Sequence, residues 1–209
     1  MSAINDFDGH FAACPLVAIL RGVTPDAAED VGGVLVDSGL RLIEVPLNSP
    51  EPFRSIEILA RRFGDVATIG AGTVLEVADV MRVREAGGRL IVSPDTRSEV
   101  IAATAAADMV SAPGYFTPSE AFAALRAGAH VLKLFPAEGA SPALLKAQKA
   151  VLPKHVPIVI VGGIRPDNMR PWLDAGAAGF GLGSNLYKPG TSPSEVARSA
   201  RAFTDALRR

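Results

Sequence analysis

With 209 residues, 48% of them hydrophobic and 21% charged, the chain can bury one substantial core but is short for two ordinary domains, so a single domain over 1–209 is expected. A formal net charge of −1, without long blocks of either sign, excludes an extended basic surface for nucleic acid or anionic lipid. Cys14 is the only cysteine, which excludes an intrachain disulfide and a multi-cysteine metal cluster and fits a reducing compartment.

The opening MSAINDFDGHF lacks the basic start and long apolar region of a secretory signal, and residues 1–14 read as a short helix ahead of the main fold. No uninterrupted apolar run approaches the ~20 residues that span a bilayer. A cytoplasmic location with no membrane partner is expected. Short β-branched runs then alternate with alanine-rich stretches of helical spacing. The first strand is predicted at 17–21 (VAILR), followed by a helix start at Thr24-Pro25 and a helix end at Gly39. A second strand at 41–45 precedes Ser49-Pro50, and a third lies at 67–71, with the helix after it closing at Gly87. Strands at 90–93 and 109–112 follow, then Thr117-Pro118 and a helix ending at Gly128. The last three strands, 130–135, 157–161 and 178–182, are separated by Ser141-Pro142 and by Gly176, and Ser192-Pro193 starts the final helix.

A hydroxyl before a proline caps a helix whose first turn needs no N–H from the ring, and glycine accepts the left-handed conformation that ends one. Eight strands alternating with helices predict an α/β chain with a parallel sheet. An open, doubly wound sheet has the same alternation, and evenly spaced helix ends suggest a solenoid. Eight units in about 200 residues, without a closely repeated motif, favour a closed (β/α)8 TIM barrel with a short N-terminal helix at its floor.

In such a barrel, chemistry sits at the C-terminal ends of the strands, and the two-residue period of a strand tells which side chains point inward. Lys133, in HVLKLFP, shares parity with Val131 and Phe135 and is the only one of five lysines inside a predicted strand. It is either a snorkelling or ion-paired lysine, or a desolvated amine fit to attack a carbonyl. Glu44 is the only acidic residue within any of the eight strands. A buried carboxylate needs compensation, so it is either paired with an arginine or placed to move protons beside Lys133. Arg21, on the parity of Val17 and Ile19, suits a carboxylate or phosphate, or else pairs with Glu44. Thr73, beside Gly70 and Gly72, offers a hydroxyl to a small carboxylate, although such turns also occur for purely local reasons.

VGGI at 161–164 and GLGS at 181–184 form a pair of glycine-rich turns after the last two strands, where this fold recurrently binds phosphate. Gly162, Gly163, Gly183 and Ser184 are therefore candidate phosphate ligands; close packing of the turns is the alternative. His10, His130 and His155 all fall on the floor side, which argues against a histidine-held metal at the mouth. Asp95 either contributes to the mouth or caps the following helix. These residues alone admit a phosphosugar isomerase or epimerase using Glu44 as base, or a noncatalytic phosphometabolite-binding protein, but neither gives Lys133 a covalent task.

AILRG (18–22), IEVPLNSP (43–50), IGAGTVL (69–75), PG (113–114), KLFPA (133–137), VGGI and GLGS occur in the order seen in the 2-keto-3-deoxy-6-phosphogluconate/galactonate aldolases, and the chain resembles that family from about Pro15 to Gly190. The resemblance implies Lys133 as the Schiff-base lysine and Glu44 as acid/base. It also implies Arg21 and Thr73 as substrate-binding residues, Thr73 on the pyruvate side, and the two turns as the phosphate cradle. It implies a homotrimer acting without a cofactor or metal on a phosphorylated keto acid. Gluconate-type members tend to carry EVTLRT and a threonine before the paired glycines, whereas this chain has EVPLNS and Val161, so the resemblance points to the galactonate branch.

Overall fold

The computed structural model describes Ala3–Arg208. Its parallel strands are β1 (Leu16–Ile19), β2 (Leu42–Pro46), β3 (Thr68–Gly72), β4 (Leu90–Val92), β5 (Val110–Ala112), β6 (Gly114–Tyr115), β7 (Leu132–Leu134), β8 (Ile158–Val161) and β9 (Gly179–Leu182). They pair in the order β5-β4-β3-β2-β1-β9-β8-β7-β6. The two ends of that order, β5 and β6, are separated only by Pro113. Having no N–H, Pro113 interrupts the ladder, yet its carbonyl accepts from the Lys133 amide at 2.9 Å. The sheet thus closes through one interrupted strand. This makes an eight-stranded barrel, as expected, with the fifth strand running past the predicted 109–112 because its second half pairs on the opposite side.

Around the barrel lie α1 (Ala3–Ala13), α2 (Pro25–Asp37), α3 (Pro52–Phe63), α4 (Val77–Glu85), α5 (Ser98–Ala106), α6 (Pro118–Arg126), α7 (Pro142–Lys149), α8 (Met169–Asp174) and α9 (Pro193–Leu207). Thr117 and Ser192 cap α6 and α9 in reciprocal capping boxes, and Ser141 accepts from the Leu144 amide. Gly39, Gly87, Gly128 and Gly176 all take positive φ at the expected helix exits. Ser49 departs from its predicted role. The helix after it begins at Pro52, and the Ser49 hydroxyl instead accepts the Gly22 amide at 2.9 Å, tying two loops of the mouth together. Asp95 does not cap either, since α5 starts after Arg97.

Alternation along the strands sorts side chains into two layers. Leu16, Ala18, Ile43, Val45, Ile69, Leu132, Ile160 and Phe180 face the helices. Val17, Ile19, Leu42, Leu90, Val92, Val110, Val131, Val159 and Val161 fill the barrel, and Phe7 of α1 closes it from below. On this parity the inward positions of β3 are Thr68, Gly70 and Gly72, and those of β9 are Gly179 and Gly181. Two strands therefore contribute little side-chain volume inside. That leaves space in the upper barrel for the two long polar residues, Glu44 and Lys133.

Candidate active site

Glu44 lies in β2 between apolar neighbours and is only 2% exposed; Lys133 lies in β7 and is 8% exposed. Both occupy inward positions, continuing the columns begun by Leu42 and Val131. The space above Gly72 is occupied by the Glu44 carboxylate, which a methyl group at that position would overlap. Among the described residues Glu44 Oε2 has no hydrogen-bond partner. Such burial is costly for a carboxylate. It raises the Glu44 carboxyl from 4.5 to about 7, against the opposing pull of the Lys133 and Arg21 charges. Burial likewise lowers Lys133, with the Glu44 carboxylate resisting, and the ammonium position lies 4.6 Å from the centroid of the Phe135 ring. Desolvation thus draws the proton affinities of the two groups towards each other, making neutral forms of both accessible.

Arg21 lies beyond β1, two residues past the last strand residue and at the exposed rim, not at the strand end predicted for it. Its guanidinium donates to Asn48 Oδ1 at 2.6 Å and to Thr73 Oγ1 at 3.4 Å. The pairing with Glu44 weighed from sequence is replaced by this one. Thr73 has φ 55°, a left-handed conformation costly for a β-branched residue. It is held there by its neighbour: the Val74 amide donates to the Val92 carbonyl at 3.2 Å, and the Ser93 hydroxyl donates to the Val74 carbonyl at 2.8 Å.

The paired turns also meet at the mouth. Gly162 and Gly163 have φ of 119° and 62°, conformations that open the backbone of the turn after β8. Gly183 has open space where a side chain would stand. Asn185 donates to the Ile164 carbonyl at 2.8 Å and so fastens the second turn to the first. All four cradle candidates line one cavity of about 550 Å³ with Arg21, Glu44, Asn48, Thr73 and Lys133. That volume is in the range of small-molecule sites. Lys188 and Glu138 line it too. Sequence reasoning missed both, because each lies outside a strand, where parity carries no information. Glu138 packs against Gly162 and Gly163. The three histidines stay away from the mouth: His10 Nδ1 is 2.9 Å from Thr68 Oγ1 at the floor, and neither His130 nor His155 lines the cavity.

A closed parallel barrel with a desolvated lysine and carboxylate facing a cavity rimmed by glycine turns defines a class of enzymes acting on small carbonyl compounds. The family model described as "KDPG and KHG aldolase" matches residues 8–198, and the chain belongs to that family. It is 47% identical to the 2-dehydro-3-deoxy-6-phosphogalactonate aldolase of Escherichia coli (strain K12), over 93% of this chain and 95% of that one. A solved structure described as "Native KDPGal structure" superposes with a TM-score of 0.92 at 47% identity, covering 93% of this chain and 94% of the other. The KDPG aldolase of Legionella pneumophila, with pyruvate captured as a covalent carbinolamine intermediate, superposes with a TM-score of 0.79 at 27% identity, covering 93% and 95%.

Proposed function

We propose that the protein is a class I aldolase, a lyase that cleaves 2-dehydro-3-deoxy-6-phospho-D-galactonate to pyruvate and D-glyceraldehyde 3-phosphate. The observation that carries this reading is the pairing of a buried lysine with a buried carboxylate at the floor of the mouth cavity. Neutral Lys133 Nζ attacks the C2 ketone to form a carbinolamine. Loss of its hydroxyl as water, with Glu44 supplying the proton, leaves a cationic imine. Glu44, now ionised, accepts the C4 hydroxyl proton as the C3–C4 bond breaks, and that electron pair moves into the imine to give an enamine. Glyceraldehyde 3-phosphate leaves. Protonation of the enamine at C3 and hydrolysis of the imine then release pyruvate and regenerate the amine.

A carboxyl near 7 suits this double use, since it gives and takes a proton at little cost around neutral pH. The amides of the Gly162–Gly163 turn and of Gly183 and Ser184 receive the phosphate. They lie away from the breaking bond, where binding energy serves to position the substrate. No step needs a cofactor. Support for the galactonate epimer comes from EVPLNSP and Val161 and from the name of the Escherichia coli relative. The test is pyruvate release, followed by coupled lactate dehydrogenase, from both C4 epimers; faster turnover of the gluconate epimer overturns the assignment.

Residues 1–209 act in this reading as one catalytic unit in the cytoplasm, and among the described residues no helix is long and apolar enough to cross a membrane. The unit is a homotrimer. Leu75, Val77 and Met81, each 41–45% exposed on and before α4, supply apolar surface for contact between copies. Sedimentation equilibrium checks the mass.

A further inference from the structure

The order of elements around the mouth gives Arg21 a choice of two anion sites. β1 lies between β9, whose following turn belongs to the phosphate cradle, and β2, beyond which β3 leads to Thr73. Arg21, exposed on the β1 loop, lines one cavity with both. In the structure it points to one side only, donating to Asn48 Oδ1 at 2.6 Å and reaching Thr73 Oγ1 at 3.4 Å. The adjoining pair repeats the attachment through the backbone, with the Gly22 amide donating to Ser49 Oγ at 2.9 Å. Ser49 is buried. Gly22, at φ 80°, is closed on its other side by the Pro189 ring, which leaves no room for a side chain there. The dipeptide Asn48-Ser49 therefore clips Arg21-Gly22 to the β2 side of the mouth, holding side chain and main chain together.

The chemistry of the clip matters as much as its geometry. A carboxylate at position 48 would hold the guanidinium equally well and cancel its charge. The Asn48 amide is a neutral acceptor, so it fixes the direction of Arg21 while leaving the positive charge for an incoming anion. Thr73 adds a hydroxyl beside it, whose oxygen accepts from Arg21 and whose proton can be donated to a ligand.

We propose that Asn48 is a positioning residue that aims Arg21 and Thr73 together at the C1 carboxylate of the keto acid held on Lys133, and thereby makes the site selective for 2-keto acids over uncharged ketones. The inference rests on the Schiff-base reading of Lys133 above. Asn48 touches no reacting atom; it acts through the guanidinium.

Borohydride trapping on the full-length protein tests this with two ligands, pyruvate and hydroxyacetone, the second being a ketone without the carboxylate. Asn48→Ala is expected to raise the pyruvate concentration for half-maximal trapping about tenfold, because an unheld guanidinium loses its fixed, charge-assisted geometry, and to leave trapping by hydroxyacetone within about twofold. Asn48→Asp keeps the acceptor but cancels the charge, and is expected to weaken pyruvate trapping at least as much. In turnover of the phosphorylated substrate, Asn48→Ala should raise KM with kcat changed by less than about threefold. The proposal is overturned if Asn48→Ala weakens both ligands alike, as a collapsed loop would, if it weakens neither, or if Asn48→Asp traps pyruvate like the wild type. Failure of the wild type to trap pyruvate at all is a different result: it removes the Schiff-base reading itself, and this inference with it.

Discussion

The two ends of the barrel are built on opposite principles. At the floor, α1 inserts Phe7 beneath the valine-lined interior, Asp6 pairs with Arg89 at 2.8 Å, and His10 meets the Thr68 hydroxyl. Polar groups there have partners and apolar groups are packed. At the mouth, less than the length of a strand away, Glu44 Oε2 has no partner among the described residues, Lys133 is desolvated beside an aromatic ring, and Thr73 is held in a strained conformation. One sheet thus divides two tasks between its ends. The floor contributes stability, and the mouth gives some of it up to keep two titratable groups away from water.

Substitutions at the two ends should therefore separate turnover from stability. The largest effect on turnover is expected from Lys133→Ala, which removes the amine and should lower kcat at least ~10³-fold without loss of folding, checked by the coupled pyruvate assay and a thermal melt. Glu44→Gln keeps the shape but cannot take the C4 proton, and a fall of about 10²–10⁴-fold in kcat is expected. Its stability should move the other way. Because the folded-state value of Glu44, about 7, lies above its ordinary 4.5, the contribution of this group to wild-type stability is full below 4.5 and is lost as pH rises through 7. The Tm of Glu44→Gln relative to wild type should therefore climb between those two pH values and level off above them. A flat difference would show that Glu44 does not titrate in this range. Wild-type kcat should pass through a maximum around pH 7, because the cycle uses Glu44 first as the acid that dehydrates the carbinolamine and then as the carboxylate that accepts the C4 proton.

Gly72→Ala places a methyl group where the Glu44 carboxylate stands, so we expect about a tenfold loss of kcat together with about 1–3 kcal/mol of stability, measured by denaturant melts. The smallest effect on turnover belongs to the floor. Phe7→Ala opens a cavity under the barrel and should cost ~3–5 kcal/mol of stability while kcat of the folded fraction stays near wild type. A large kcat loss there would break the division between the two ends.

Most of this architecture is legible in the sequence, and particular residues show why. Strand parity brings Lys133 and Glu44 to the interior because both lie inside strands, where the two-residue period holds. The glycine exits and four of the five hydroxyl-proline starts are governed by local backbone chemistry, which sequence reports directly, Thr24 alone of the four holding its cap position without a side-chain hydrogen bond. Legibility fails at the loops. Ser49 has the sequence of a helix cap, but a tertiary partner, the Gly22 amide, outcompetes the local one. Arg21 has the parity of an inward strand residue, yet β1 stops at Ile19, and its true partner, Asn48, lies on a different loop. The arrival of Lys188 and Glu138 at the cavity likewise depends on how loops from different strands meet. Pro113 alone gives no sign that it divides one strand between two neighbours.

Whether a covalent imine forms on Lys133 can be read by peptide mass mapping after sodium borohydride reduction in the presence of pyruvate. Irreversible loss of activity is expected, with a reduced pyruvyl adduct confined to the peptide carrying Lys133 and absent from Lys133→Ala. An adduct on another lysine, or trapping that persists in Lys133→Ala, would contradict it.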